Sequence, residues 1–101
     1  MKIPCQTDLL DLAGKSISDG VSILTVGKAI GEMLAVSRSP QHALKLSILA
    51  RKFFVALGPV ETDTGDLALI RTEIEKSERY PVLVKGQVLE ILENLKQEKI
   101  I

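Results

Sequence analysis

The chain has 101 residues, of which 13 are basic and 13 acidic, and aromatic residues make up only 3%. A formal net charge of zero excludes a global field that would recruit nucleic acid or an anionic membrane. No run approaches the roughly 20 apolar residues needed to span a bilayer, and the N-terminal segment lacks the apolar core of a signal peptide. With Cys5 as its single cysteine, the sequence predicts one cytoplasmic domain over residues 1–101, packed by aliphatic side chains.

Residues 1–22 do not have the apolar spacing of a helix. Apolar and polar residues are mixed on both sides of Gly14, which is typical of two short strands joined by a tight turn. We therefore expect a β-hairpin with strands at 8–12 and 15–18. Because an isolated hairpin is only marginally stable, it should pack against helices.

Four later stretches have the apolar spacing of helices. They cover residues 25–37, 39–57, 63–78 and 81–97. Thr25, Ser39 and Asp63 are suitable N-cap residues, and Pro40 and Pro81 suit a first helical turn. The predicted fold class is α+β, mainly α, with the N-terminal hairpin packed on a bundle of about four helices.

Glycines inside these helices predict close packing. Gly27 and Gly31 lie four residues apart on the first helix, where they would let another backbone approach. Gly86 lies in the middle of the last helix. Because glycine in a helix interior costs about 1 kcal/mol relative to alanine, we expect a tight helix crossing at both places.

The 39–57 stretch is the most apolar of the predicted helices. One row of apolar residues follows helical spacing, and a second row, Leu44, Ile48 and Val55, lies beside it. This arc is too wide for a helix that lies on one neighbour, since burying each such side chain is worth roughly 1.5–3 kcal/mol. The helix should therefore be central, or one of its faces should meet another subunit. The residues expected on a self-association face are Leu44, Ile48 and Val55, or Leu89 on the last helix.

Residues 33–60 contain four basic residues and no acidic one: Arg38, Lys45, Arg51 and Lys52. They could contact phosphates, which would indicate a nucleic-acid-binding regulator. They could equally form a solvated edge that pairs with acidic neighbours. Measuring nucleic-acid binding at low and high salt separates these two interpretations.

Groups suited to catalysis or metal binding are sparse. His42 has no second histidine, cysteine or carboxylate at ligand spacing nearby and is expected at the surface. A nucleophile, a base and an orienting group cannot be assembled from the pattern. We therefore expect no enzyme activity and neither a cofactor nor a metal.

The order of the segments DLAGK, TVGKAIGEML, LARKFF, VETDTGDLALI and YPVLVKGQVLEIL resembles small, functionally uncharacterised proteins encoded by phages and prophages. The likeness covers most of the chain and consists of helix packing and capping patterns. It implies a role in a phage programme, such as virion assembly, in the host cytoplasm or the virion, and assigns no role to single residues. We expect a non-enzymatic assembly or interaction protein whose partner is itself or another protein.

Overall fold

The structure is a computed structural model that describes residues 1–18, 20–38 and 40–98. Its elements, in chain order, are β1 (Lys2–Ile3), α1 (Val26–Ala35), a 3-10 helix (Pro40–His42), α2 (Ala43–Phe54), β2 (Val60–Glu61), α3 (Thr64–Lys76) and α4 (Val82–Glu98). The predicted fold class, α+β and mainly α, is confirmed. Ser39, the expected cap of the second helix, lies outside the described residues.

The predicted N-terminal hairpin turns at Gly14, which has a positive φ of 81°. The Asp11 carboxylate stabilises the turn by accepting hydrogen bonds from the backbone N–H groups of Ala13 and Lys15, at 2.9 and 3.0 Å. The two arms are joined by a single antiparallel bridge between Leu10 and Ser16. The regular strands lie elsewhere, because β1 pairs antiparallel with the distant β2.

A third extended segment joins the hairpin and closes it into a ring of backbone hydrogen bonds. The N–H of Leu9 donates to the carbonyl of Leu24 at 3.0 Å, that of Leu24 to Ile17 at 2.8 Å, and that of Ile17 to Leu9 at 2.9 Å. Each of the three segments therefore pairs with both others. This closure explains how such short segments are ordered without a regular sheet.

The same N-terminal region covers the start of α1. The N–H groups of Val26 and Gly27 donate to the carbonyls of Thr7 and Cys5, at 2.9 and 3.0 Å. The hydroxyl of Thr25 accepts a hydrogen bond from the N–H of Lys28, so Thr25 caps the helix. These bonds satisfy donors that a helix leaves unpaired in its first turn.

α1, and not α2, is the central helix. It contacts each of the other three helices, and seven of its ten residues are buried. The first of the two alternatives for the 39–57 helix, a central position, is therefore wrong. The α1 glycines allow a close contact with α2: a Cβ at Gly27 would lie 2.7 Å from the carbonyl oxygen of Phe53, and one at Gly31 2.9 Å from that of Ala50. α2 consequently lies very close to α1 on one side.

α4 packs against α3, β1 and α1. Arg71 of α3 pairs with Glu93 of α4, and the side-chain amide of Gln87 exchanges two hydrogen bonds with the backbone of Leu10, at 2.7 and 2.9 Å. Gly86 faces open space, since a Cβ there would meet nothing within 4 Å. The expected tight crossing at Gly86 is therefore wrong, because the buried Val84, Val88 and Leu92 lie on the opposite side of the helix.

Candidate interaction surface

α2 has two apolar faces that point in opposite directions. Leu46, Leu49, Ala50 and Phe53 form the buried face against α1. On the other side, Leu44, Ile48 and Val55 are 75%, 52% and 71% exposed. Spacings of four and seven residues place these three side chains in one row, which we call the α2 outer face. The second apolar row predicted from the sequence is thus left uncovered within the chain.

Cations interrupt and border the α2 outer face. Arg51, three residues after Ile48 and four before Val55, lies within the row, and Lys45 and Lys52 lie beside it. Lys45 forms an ion pair with Asp66 of α3, with 2.6 Å between Nζ and Oδ1, and hydrogen bonding to this carboxylate raises the pKa of Lys45. Arg51 donates to the hydroxyl of Ser47 at 3.1 Å. Among the described residues, no carboxylate lies within ion-pairing distance of Arg51 or Lys52.

The four cations considered for phosphate contact do not form one strip. Arg51 lies among the apolar side chains of the row, and Lys45 is already paired with Asp66. Arg38 lies on the link between α1 and α2 and lines a different pocket. A phosphate backbone could therefore reach them together only by crossing the α2 outer face.

Leu89, the alternative self-association residue, is partly buried and packs against the core. The exposed apolar side chains of α4 lie elsewhere, at Val82, which is 86% exposed, and at Leu83. Together with Gly86 and the exposed Glu90, they form a surface that we call the α4 outer face. Sequence reasoning missed this surface. The available signal was the four-residue spacing of Val82, Gly86 and Glu90, on the side of α4 opposite the buried Val84, Val88 and Leu92.

A polar pocket of about 490 Å³ lies between the end of α1 and the end of α3. The buried carboxylate of Glu73 accepts a hydrogen bond from the hydroxyl of Ser37 and lies 3.8 Å from Nζ of Lys76. Arg38 and Arg79 also line the pocket. The spacing of charged residues did not predict this cluster. Its hydrogen bond fixes the link after α1 to α3, which is a structural role.

Cys5 and His42 lie apart from this pocket. Burial raises the pKa of the Cys5 thiol to about 11, which keeps the thiol protonated at neutral pH. His42 is exposed at the start of α2, where its side chain makes no capping hydrogen bond.

Across residues 1–18, 20–38 and 40–98, no three His, Cys, Asp or Glu side chains are grouped so that they could hold a metal ion. Within the same ranges, no helix combines the length and the apolar character needed to cross a membrane. No protein-family model matches the chain, and comparisons with curated proteins and with solved structures find no significant match.

Proposed function

We propose that the protein is a non-enzymatic assembly or interaction protein that binds a second copy of itself through the α2 outer face. The observation that carries the proposal is the row of Leu44, Ile48 and Val55, which is exposed directly opposite the buried face of the same helix. Covering one such side chain is worth roughly 1.5–3 kcal/mol. Association itself costs about 4–15 kcal/mol, so a face of this size supports moderate affinity.

Two parts of the proposal have separate support. The phage context, including a role in virion assembly, depends on the sequence resemblance alone. The nucleic-acid-binding alternative has less support from the geometry, because Asp66 already pairs with Lys45 and Arg38 lines a different pocket. If nucleic acid were the partner, affinity should fall steeply with salt. No binding at low salt would remove that alternative.

Light scattering after size-exclusion chromatography, over a series of protein concentrations, tests self-association. We expect the wild type to shift from monomer to larger species as concentration rises. Ile48→Glu should abolish the shift, because it places a charge in the middle of the apolar row. Thr72→Glu is the matched control, since it adds the same charge at an exposed position of α3 and should associate like the wild type.

Circular dichroism should show the same helical content in all three proteins. A wild type that is monomeric at every concentration would contradict self-association. An Ile48→Glu variant that associates as tightly as the wild type would show that another surface is used.

A further inference from the structure

We infer that the two copies bind head to tail, with the α2 outer face of one copy against the α4 outer face of the next. This inference rests on the proposed self-association and specifies which surface of the second copy is used. It follows from the distribution of charge. All 13 carboxylates of the chain lie outside residues 33–60, the segment that contains α2 and four of the basic residues.

A symmetric pairing of two α2 outer faces brings like charges together. An antiparallel two-fold arrangement that matches Leu44 of one copy with Val55 of the other places the two Arg51 side chains within about one helical turn of each other. Lys52 follows directly on each helix, and α2 contains no carboxylate to compensate. Like charges placed opposite each other at an interface disfavour that arrangement.

The α4 outer face has the complementary charge. The exposed Glu90 lies on this face. Among the described residues, no cation lies within ion-pairing distance of its carboxylate. The ammonium group of the nearby Lys85 lies at the end of α3, where it donates to the backbone carbonyls of Glu75 and Ser77, at 3.2 and 2.7 Å. The Glu90 carboxylate is therefore available for Arg51 or Lys52 of another copy.

The two faces also have similar lengths. The α2 row from Leu44 to Val55 is about 16 Å long, and the α4 face from Val82 to Glu90 is about 12 Å long. Val82 and Leu83 offer apolar contacts to the row, and Leu10 is held beside them by its hydrogen bonds to Gln87. Because Gly86 has no side chain and faces open space, a second helix can approach α4 closely there.

The two faces lie on different helices. Each one lies opposite the buried side of its own helix, and both helices pack on α1. An interface between two different faces leaves one free face of each kind at the ends of every open assembly. Such interfaces build rings when the rotation closes and open chains when it does not.

Mixing two variants tests this arrangement. Ile48→Glu disables only the α2 outer face, and Val82→Arg disables only the α4 outer face by adding a cation to it. We expect each variant alone to be monomeric, with self-association weakened about tenfold or more. When the two are mixed, the intact α4 face of the first should bind the intact α2 face of the second. The expected product is a one-to-one dimer that cannot grow.

Val21→Arg is the matched control, because Val21 is an equally exposed valine outside both faces. It should associate like the wild type, and circular dichroism should show that every variant is folded. A Val82→Arg variant that still self-associates, or a mixture that stays monomeric, would overturn the head-to-tail arrangement. If Val82→Arg associates while Ile48→Glu does not, the proposed function survives with a symmetric α2 interface. A monomeric wild type would contradict both.

Discussion

α1 and α2 are neighbouring apolar helices with very different surroundings. α1 is contacted by all three other helices and by the N-terminal segment, whereas α2 is covered on one face only. The wider apolar arc belongs to α2, yet α1 is the buried helix. The comparison shows that the width of an apolar arc does not decide which helix is buried. α1 is buried because α3, α4 and the N-terminal segment also pack on it, in addition to the close contact with α2 at Gly27 and Gly31.

The two faces of α2 give the largest expected contrast. Leu46→Ala should lower the free energy of unfolding by about 2–5 kcal/mol, because Leu46 is only 3% exposed and its loss leaves a cavity. Leu44→Ala should change it by no more than about 0.5 kcal/mol, because Leu44 faces solvent. Urea unfolding followed by circular dichroism in dilute solution measures both. Equal losses would mean that the outer face is covered within a single chain.

Two glycine substitutions test the close packing of α2 against α1. Gly31→Ala should destabilise the fold by about 1–3 kcal/mol, because the added Cβ would lie 2.7 Å from Cβ of Phe54 and 2.9 Å from the carbonyl oxygen of Ala50. Gly86→Ala is the control, since its Cβ meets nothing within 4 Å and alanine favours the helix by about 1 kcal/mol. It should raise the melting temperature. If both substitutions stabilise, the close approach at Gly31 is not what holds α2 against α1.

Local features could be predicted from the sequence because they depend on residues close together in the chain. The helical spacing marks the four helices, and Thr25 and Asp63 cap α1 and α3. The turn at Gly14 follows in the same way from a left-handed conformation that glycine adopts easily.

Features that depend on distant residues could not be predicted. The pairing of β1 with β2, the hydrogen bond between Ser37 and Glu73, and the central position of α1 all join segments far apart in sequence. The helical spacing around Gly86 is the same whether this residue faces a neighbouring helix or solvent, so the sequence could not distinguish the two. For the candidate site, the sequence identified the residues of the α2 row but could not show that they are exposed. The α4 outer face was not predicted because its apolar part is short.

The starts of α2 and α3 provide a smaller contrast. Asp63→Ala should cost about 1 kcal/mol, because the Asp63 carboxylate accepts a hydrogen bond of 2.7 Å from the N–H of Asp66. His42→Ala should be close to neutral, since His42 makes no such bond at the start of α2. Asp63→Asn keeps an acceptor and should retain most of the stability. Thermal unfolding of the three variants measures these differences in stability. If Asp63→Asn lost as much stability as Asp63→Ala, the charge of Asp63 and not its capping hydrogen bond would be responsible.

The smallest expected effect is a pH dependence at the covered start of α1, where Cys5 lies against Gly27. Burial raises the pKa of the thiol from 9.0 to about 11, so the thiol ionises more readily in the unfolded chain than in the fold. Its contribution to stability is therefore complete below pH 9 and is lost as the pH rises from 9 towards 11. Comparing urea unfolding of the wild type and Cys5→Ala at neutral pH and just above pH 9 isolates this contribution, because all other titrating groups are shared. The wild type should lose more stability than the variant over that interval, and parallel losses would show that the thiol is accessible to water.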